Sequence, residues 1–188
     1  MAMKIDRKKD NRVVKCILHR VADIPGGVTV ETASLGGKAL FEGTPLGKGA
    51  DGLYKVAKTA QIVTAADATA TAYEVAKGHH FKAGDRFCAG GGNGQAITAI
   101  DKTDPTKDII TVGTTLGKAV KPGDVAFESS GANTTPKVVP TVIAGSNEDV
   151  EPGDNLWVDA WVIAVVRDSN SPAIAPVMLS SLKGINYV

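Results

Sequence analysis

The chain has 188 residues, 43% of them hydrophobic, 22% charged and 5% aromatic, with 21 Gly, 9 Pro, 2 Cys and a formal net charge of +1. This describes one packed domain with or without an extension, and it excludes a disordered chain and a disulfide-dense scaffold. No run approaches the ~18–20 apolar residues of a membrane span, and the charged start holds no signal-peptide core, so synthesis without export and no membrane partner are expected.

The first twenty residues carry seven basic groups, Lys4, Arg7, Lys8, Lys9, Arg12, Lys15 and Arg20, against Asp6 and Asp10, while the remainder is mildly acidic. Residues 1–22 therefore read as a basic N-terminal arm. Such an arm remains solvated, docks on an acidic protein surface or binds nucleic acid. Nucleic acid is the weakest of these, because no aromatics interleave with the charges and the body has no basic stripe. Residues 12–21 (RVVKCILHRV) follow neither a helical nor a strand period, which suits a segment ordered by pairing with a partner chain.

Residues 23–52 form a Gly/Pro-rich region in which only 28–32 (VTVET) alternates as a half-buried strand does, and 35–51 reads as a long surface loop. Residues 53–188 read as a β-rich body. Strands are expected at 53–58, 71–77, 96–101, 108–112, 125–128 and 137–143, with 96–112 as a hairpin turning at Thr103-Asp104-Pro105-Thr106. Residues 155–167 (NLWVDAWVIAVVR) hold the apolar maximum. As a strand they present Leu156, Val158, Ala160, Val162 and Ala164 on one face and Trp157, Trp161, Ile163 and Val165 on the other. The second face predicts self-association through Trp157, Trp161, Ile163 and Val165. The tail predicts a short C-terminal helix, with Pro176 near its start and Gly184 as its cap.

One phrase recurs: an apolar residue, a charge, Ala or Pro, then Gly-Asp. It stands at Gly84-Asp85, Gly123-Asp124 and Gly153-Asp154, each followed by an apolar run. The pattern predicts a type II turn, with glycine supplying positive φ and aspartate accepting backbone hydrogen bonds as the next strand begins. Metal binding by these aspartates is the weaker reading, since their spacing is far from a calcium loop.

Catalytic constellations are sparse. Adjacent His79 and His80 point to opposite faces of a strand, so a transition-metal site formed with Asp85 and Cys88 is a minor alternative to a loop pair before a turn. The run Gly90-Gly91-Gly92-Asn93-Gly94 lacks the Lys-Ser/Thr of a phosphate loop and reads as a flexible hairpin tip. No enzyme activity, cofactor or metal is expected, and the fold class is mostly β: a compact β-rich domain such as a β-barrel, with an extended N-terminal arm.

Residues 10–30 (DNRVVKCILHRVADIPGGVTV), 46–58 (LGKGADGLYKVAK), 72–85 (AYEVAKGHHFKAGD), 96–124 (AITAIDKTDPTKDIITVGTTLGKAVKPGD) and the ending 182–188 (LKGINYV) resemble the head fiber, or head decoration, proteins of tailed phages and prophages of gut Bacteroidetes. The resemblance implies a virion protein on the outer capsid surface, assembled in the bacterial cytoplasm, trimeric and bound to the major capsid protein, with a β-clip or β-tulip-like body. Arg7, Lys8, Lys9, Arg12, Lys15 and Arg20 are then the expected capsid-docking residues. The heptads, Gly-x-y triplets or β-helical repeats of a long fiber are absent, which favours a globular knob. A non-catalytic β-rich module binding carbohydrate or a host-surface glycan is the alternative, although the few aromatics are better explained as core or interface.

Overall fold

In the computed structural model, which describes residues 15–151 and 153–188, short β-branched runs become strands wherever a glycine or Asx turn separates them. The first are β1 (Ile17–Asp23), β2 (Val28–Val30), β3 (Ala39–Leu40), β4 (Pro45–Lys48), β5 (Tyr54–Val56), β6 (Thr59–Gln61), β7 (Ala72–Ala76) and β8 (Arg86–Cys88). The chain continues through β9 (Gln95–Asp101), β10 (Lys107–Val112), β11 (Val125–Glu128), β12 (Val142–Ala144), β13 (Glu148–Asp149), β14 (Leu156–Val158) and β15 (Ala160–Val166). It ends with the short helix α1 (Pro176–Leu179) and β16 (Ile185–Tyr187).

The middle of the chain forms a six-stranded antiparallel sheet in the order β6-β11-β8-β9-β10-β7. Its outer strands meet: Ile62 bridges Val75, and the Val63 N–H donates to the Glu74 carbonyl at 2.9 Å. Curling lets one face bury Ile62, Ile97, Ile110, Val112 and Val120 around three aromatic rings, with the Phe87 centroid 5.3 Å from that of Tyr73 and 5.6 Å from that of Phe81, which it meets edge-on. Each such side chain contributes ~1.5–3 kcal/mol when fully buried.

The flanking chain builds an eight-stranded sheet in the order β1-β15-β12-β4-β5-β2-β14, with β16 parallel to β15. Only Asp159 separates β14 from β15. One apolar run therefore supplies both an edge strand and an interior strand, which requires the sheet to curl back on itself. Val28, Val30, Leu46, Val56, Val142 and Val158 fill the curl. A third cluster joins the two sheets, packing Cys88 and Phe127 of one against Ile143, Ala164 and Val166 of the other, with Met178, Leu182 and Ile185 of the tail across them.

The repeated turn has a simple geometry. Gly84, Gly123 and Gly153 have φ of +92°, +93° and +99°. The Asp85 and Asp124 backbone N–H groups donate to Lys82 O and Lys121 O, and their carboxylates accept the Lys82 and Lys121 N–H groups at 2.9 and 2.8 Å. Every turn feeds a strand, β8, β11 or β14.

Several expectations need correction. Residues 17–22 are no free arm: β1 pairs with β15 of its own chain from Ile17↔Val166 to Asp23↔Trp161. The segment 35–51 is no surface loop, because β3 and β4 lie in it and Leu40, Thr44 and Leu46 are buried. Its glycines permit backbone contact; a Cβ on Gly36 would stand 2.2 Å from Phe81 O. Nor does one body begin at residue 53, since the six-stranded sheet is inserted between two parts of the larger one. The 90–94 run is packed rather than a free tip, for a Cβ on Gly94 would meet Ser129 Oγ at 1.7 Å. Finally, Gly184 does not cap α1, which ends at Leu179; it sits against Val162 O and precedes β16, a strand that lacks any periodic signal.

Candidate interaction surface

Among the described residues β1 lies at the margin of its sheet and pairs only with β15, and its register breaks three times. Such breaks twist the ribbon and expose side chains on both faces. Leu18 and Val21 of β1 are 48% and 57% exposed, and Val162 and Ile163 of β15 are 38% and 43% exposed. Val162 and Ile163 are neighbours on β15 and point to opposite faces of the sheet, so the apolar exposure at the margin itself is that of Leu18 and Val21 on β1. Exposed apolar side chains on a marginal strand mark sites of strand addition or subunit contact.

Of the residues expected to self-associate, Ile163 is exposed, whereas Val165 is only partly exposed. Trp161 does not present a free face. The Arg20 guanidinium lies 5.3 Å from its ring centroid, and a Cβ on Gly145 would press its indole at 2.4 Å. Trp157 is 57% exposed, held against the 26–27 turn by a bond from Nε1 to Gly26 O at 2.8 Å. Gly27, at φ +68°, leaves the space: a Cβ there would come within 2.8 Å of the indole.

Among the expected docking residues, Arg7, Lys8, Lys9 and Arg12 lie outside the described residues. Lys15 is exposed. Arg20 is exposed, with its guanidinium donating to Glu42 Oε1 at 2.9 Å and Gly145 O at 3.2 Å. Glu42, itself buried, also takes the Cys16 N–H on Oε2 at 2.9 Å, so one carboxylate anchors the start of β1 at two points. The sequence offered no sign of Glu42, which stands alone between Phe41 and a glycine.

The minor metal reading fails on placement. His79 accepts the Phe81 N–H on Nδ1 and has Nε2 3.1 Å from Asp108 Oδ2; His80 has no hydrogen-bond partner on either ring nitrogen. Asp85 pairs with Lys58, and Cys88 donates to Gly92 O. Among the described residues, no three His, Cys, Asp or Glu side chains converge as metal ligands. Burial pushes both histidines down to about 4 and the Cys88 thiol up to about 11, so the imidazoles are neutral and the thiol unreactive at neutral pH.

Two adjoining grooves of about 650 and 550 Å³ run between the sheets and the C-terminal segment. The first is lined by Thr59, Gln61, Lys77, His79 and Asp168, and the second by Phe127, Ile174 and Val177. His79 is committed to its inward contacts and is no free base in the first groove. Among the described residues no helix is long and apolar enough to cross a membrane.

Compared with protein-family models, curated proteins and solved structures, the chain matches none.

Proposed function

We propose that this chain is a structural protein of a phage capsid surface, a head decoration or head fiber subunit that forms a homotrimer and binds the major capsid protein. The observation that carries the reading is the exposure of the apolar side chains Leu18 and Val21 on β1, a strand that among the described residues pairs on one side only and follows the basic segment in sequence. An edge with apolar side chains and free backbone donors and acceptors favours protein contact. A symmetric trimer repeats one such contact three times and suits a local three-fold axis of a capsid.

Light scattering on the purified chain should give three times the 19.4 kDa subunit mass. Leu18→Lys with Val21→Glu should yield monomers of little changed thermal midpoint, because both side chains of this marginal strand are exposed, at 48% and 57%. A monomeric wild-type chain overturns the trimer. Docking is tested separately by replacing Arg7, Lys8, Lys9 and Arg12 with alanine and cosedimenting the variant with capsids. Retained binding sinks the docking role of the basic segment. Deletion through Arg20 would not serve, since it removes half of β1.

One observation favours a second reading, a module for a host-surface glycan. The Trp157 ring is exposed, packed against a glycine turn and fixed by its indole bond, as a sugar platform requires. Glycan-array binding lost in Trp157→Ala supports it, and an array without signal removes it.

A further inference from the structure

Of the three repeated turns, only that of Asp85 puts its carboxylate in the interior. Asp124 is partly exposed and Asp154 exposed, whereas Asp85 is buried against a buried lysine. Lys58 Nζ stands 2.6 Å from Asp85 Oδ2 and 3.6 Å from Glu128 Oε2, with the three side chains 2%, 6% and 4% exposed. Register produces this meeting. Glu128 ends β11, the strand between β6 and β8; Lys58 immediately precedes β6 and Asp85 immediately precedes β8. The Glu128 N–H donates to Lys58 O at 3.0 Å, which locks the lysine beside the glutamate. The turn and the Lys82 N–H fix the Asp85 carboxyl, and Lys137 Nζ holds the far oxygen of Glu128 at 2.5 Å.

We propose that Lys58 and Asp85 condense into an intramolecular isopeptide bond, with Glu128 carrying the protons. Burial makes an ion pair costly, and proton transfer from the ammonium to a carboxylate yields the neutral amine and carboxylic acid. The amine lone pair attacks Asp85 Cγ, forming the C–N bond. Glu128 takes the proton released from nitrogen and delivers it to the departing hydroxyl. The C–O bond breaks and one water leaves. An ammonium and a carboxylate thus become one amide and one water, with no oxidant or cofactor. Rigid placement of amine, carboxyl and proton carrier lowers the barrier through proximity, as in other intramolecular acyl transfers. The product ties the two strands flanking β11 and closes the chain between positions 27 residues apart.

Intact-mass spectrometry of the full-length protein, incubated at neutral pH after purification, reads the bond directly. The mass should fall one water short of the sequence value, and a tryptic digest should contain a branched peptide joining Lys58 to Asp85, with no cleavage after Lys58. Lys58→Arg and Glu128→Gln should each carry the full mass, and Asp85→Asn should lose ammonia in place of water. A wild-type protein at full sequence mass overturns the proposal whatever the variants do. So does a water loss mapped elsewhere, as to a succinimide at Asp51-Gly52.

Discussion

At the scale of single residues, two kinds of glycine do different work. Gly84 has φ +92° with open space where a Cβ would stand, so Gly84→Ala carries only the left-handed backbone penalty of about 1–2 kcal/mol. At Gly47 the Cβ would meet Val139 O at 2.3 Å, and backbone must move. Urea unfolding should therefore rank Gly47→Ala as the more damaging; the reverse order would contradict the packing. Glu42→Ala removes the acceptor of both the Cys16 N–H and Arg20, and should cost about 2–3 kcal/mol by the same measurement. His79 and His80 set a pH dependence. Their folded-state values of about 4 lie below the ordinary 6.5 because of burial, and for His80 the nearby His79 adds to it. The unfolded chain takes up these protons first, so the stability is fully present above pH 6.5 and is lost as pH falls towards 4. Both histidines contribute to that loss, since each must take up a proton in a buried site. His80→Leu, which removes a ring without hydrogen-bond partners, should flatten the slope in urea midpoints between pH 7 and 4.5. An unchanged slope would show that His80 is not part of it.

At the scale of elements, the run 156–166 explains why the sequence is apolar on both faces there. Val158, Ala160, Ala164 and Val166 are buried, while the ring of Trp161 is covered by Arg20 across the β1–β15 ribbon. Much of the demand for a second partner is met inside the chain, and what is left over is the exposure of Val162 on one face and Ile163 on the other. β16 depends on tertiary support in the same way. Ile185 is 8% exposed and packs with Met178 and Leu182, so Ile185→Ala should lower stability by ~2–4 kcal/mol in urea unfolding. A change under half a kilocalorie would mean that the tail is not docked.

At the scale of the whole molecule, the joint cluster of Cys88, Phe127, Ile143, Ala164 and Val166 ties the two curled sheets together. Neither sheet can expose its side of that cluster without cost to the other, so unfolding should be a single transition. Both tryptophans belong to the larger sheet. Tryptophan fluorescence should therefore coincide in midpoint with far-ultraviolet circular dichroism, which reports both sheets. Separate midpoints would show two independent units.

By itself the sequence determined what depends on near neighbours. The β class, the 96–112 hairpin and the strands after the Gly-Asp turns all follow from alternation and from glycine at positive φ, which act over a few residues. What only the tertiary structure decided depends on which distant strands meet. Residues 17–22 have no period because both faces of β1 are largely exposed, so no alternation marks them as a strand. The insertion of the six-stranded sheet, the double use of 156–166 and the placement of β16 are matters of sheet order, which local pattern does not encode. The same holds for charge. Glu42 to Arg20, and Lys58 to Asp85 and Glu128, are joined across separations of 22 or more residues, and each looks solvent-exposed until the fold closes around it.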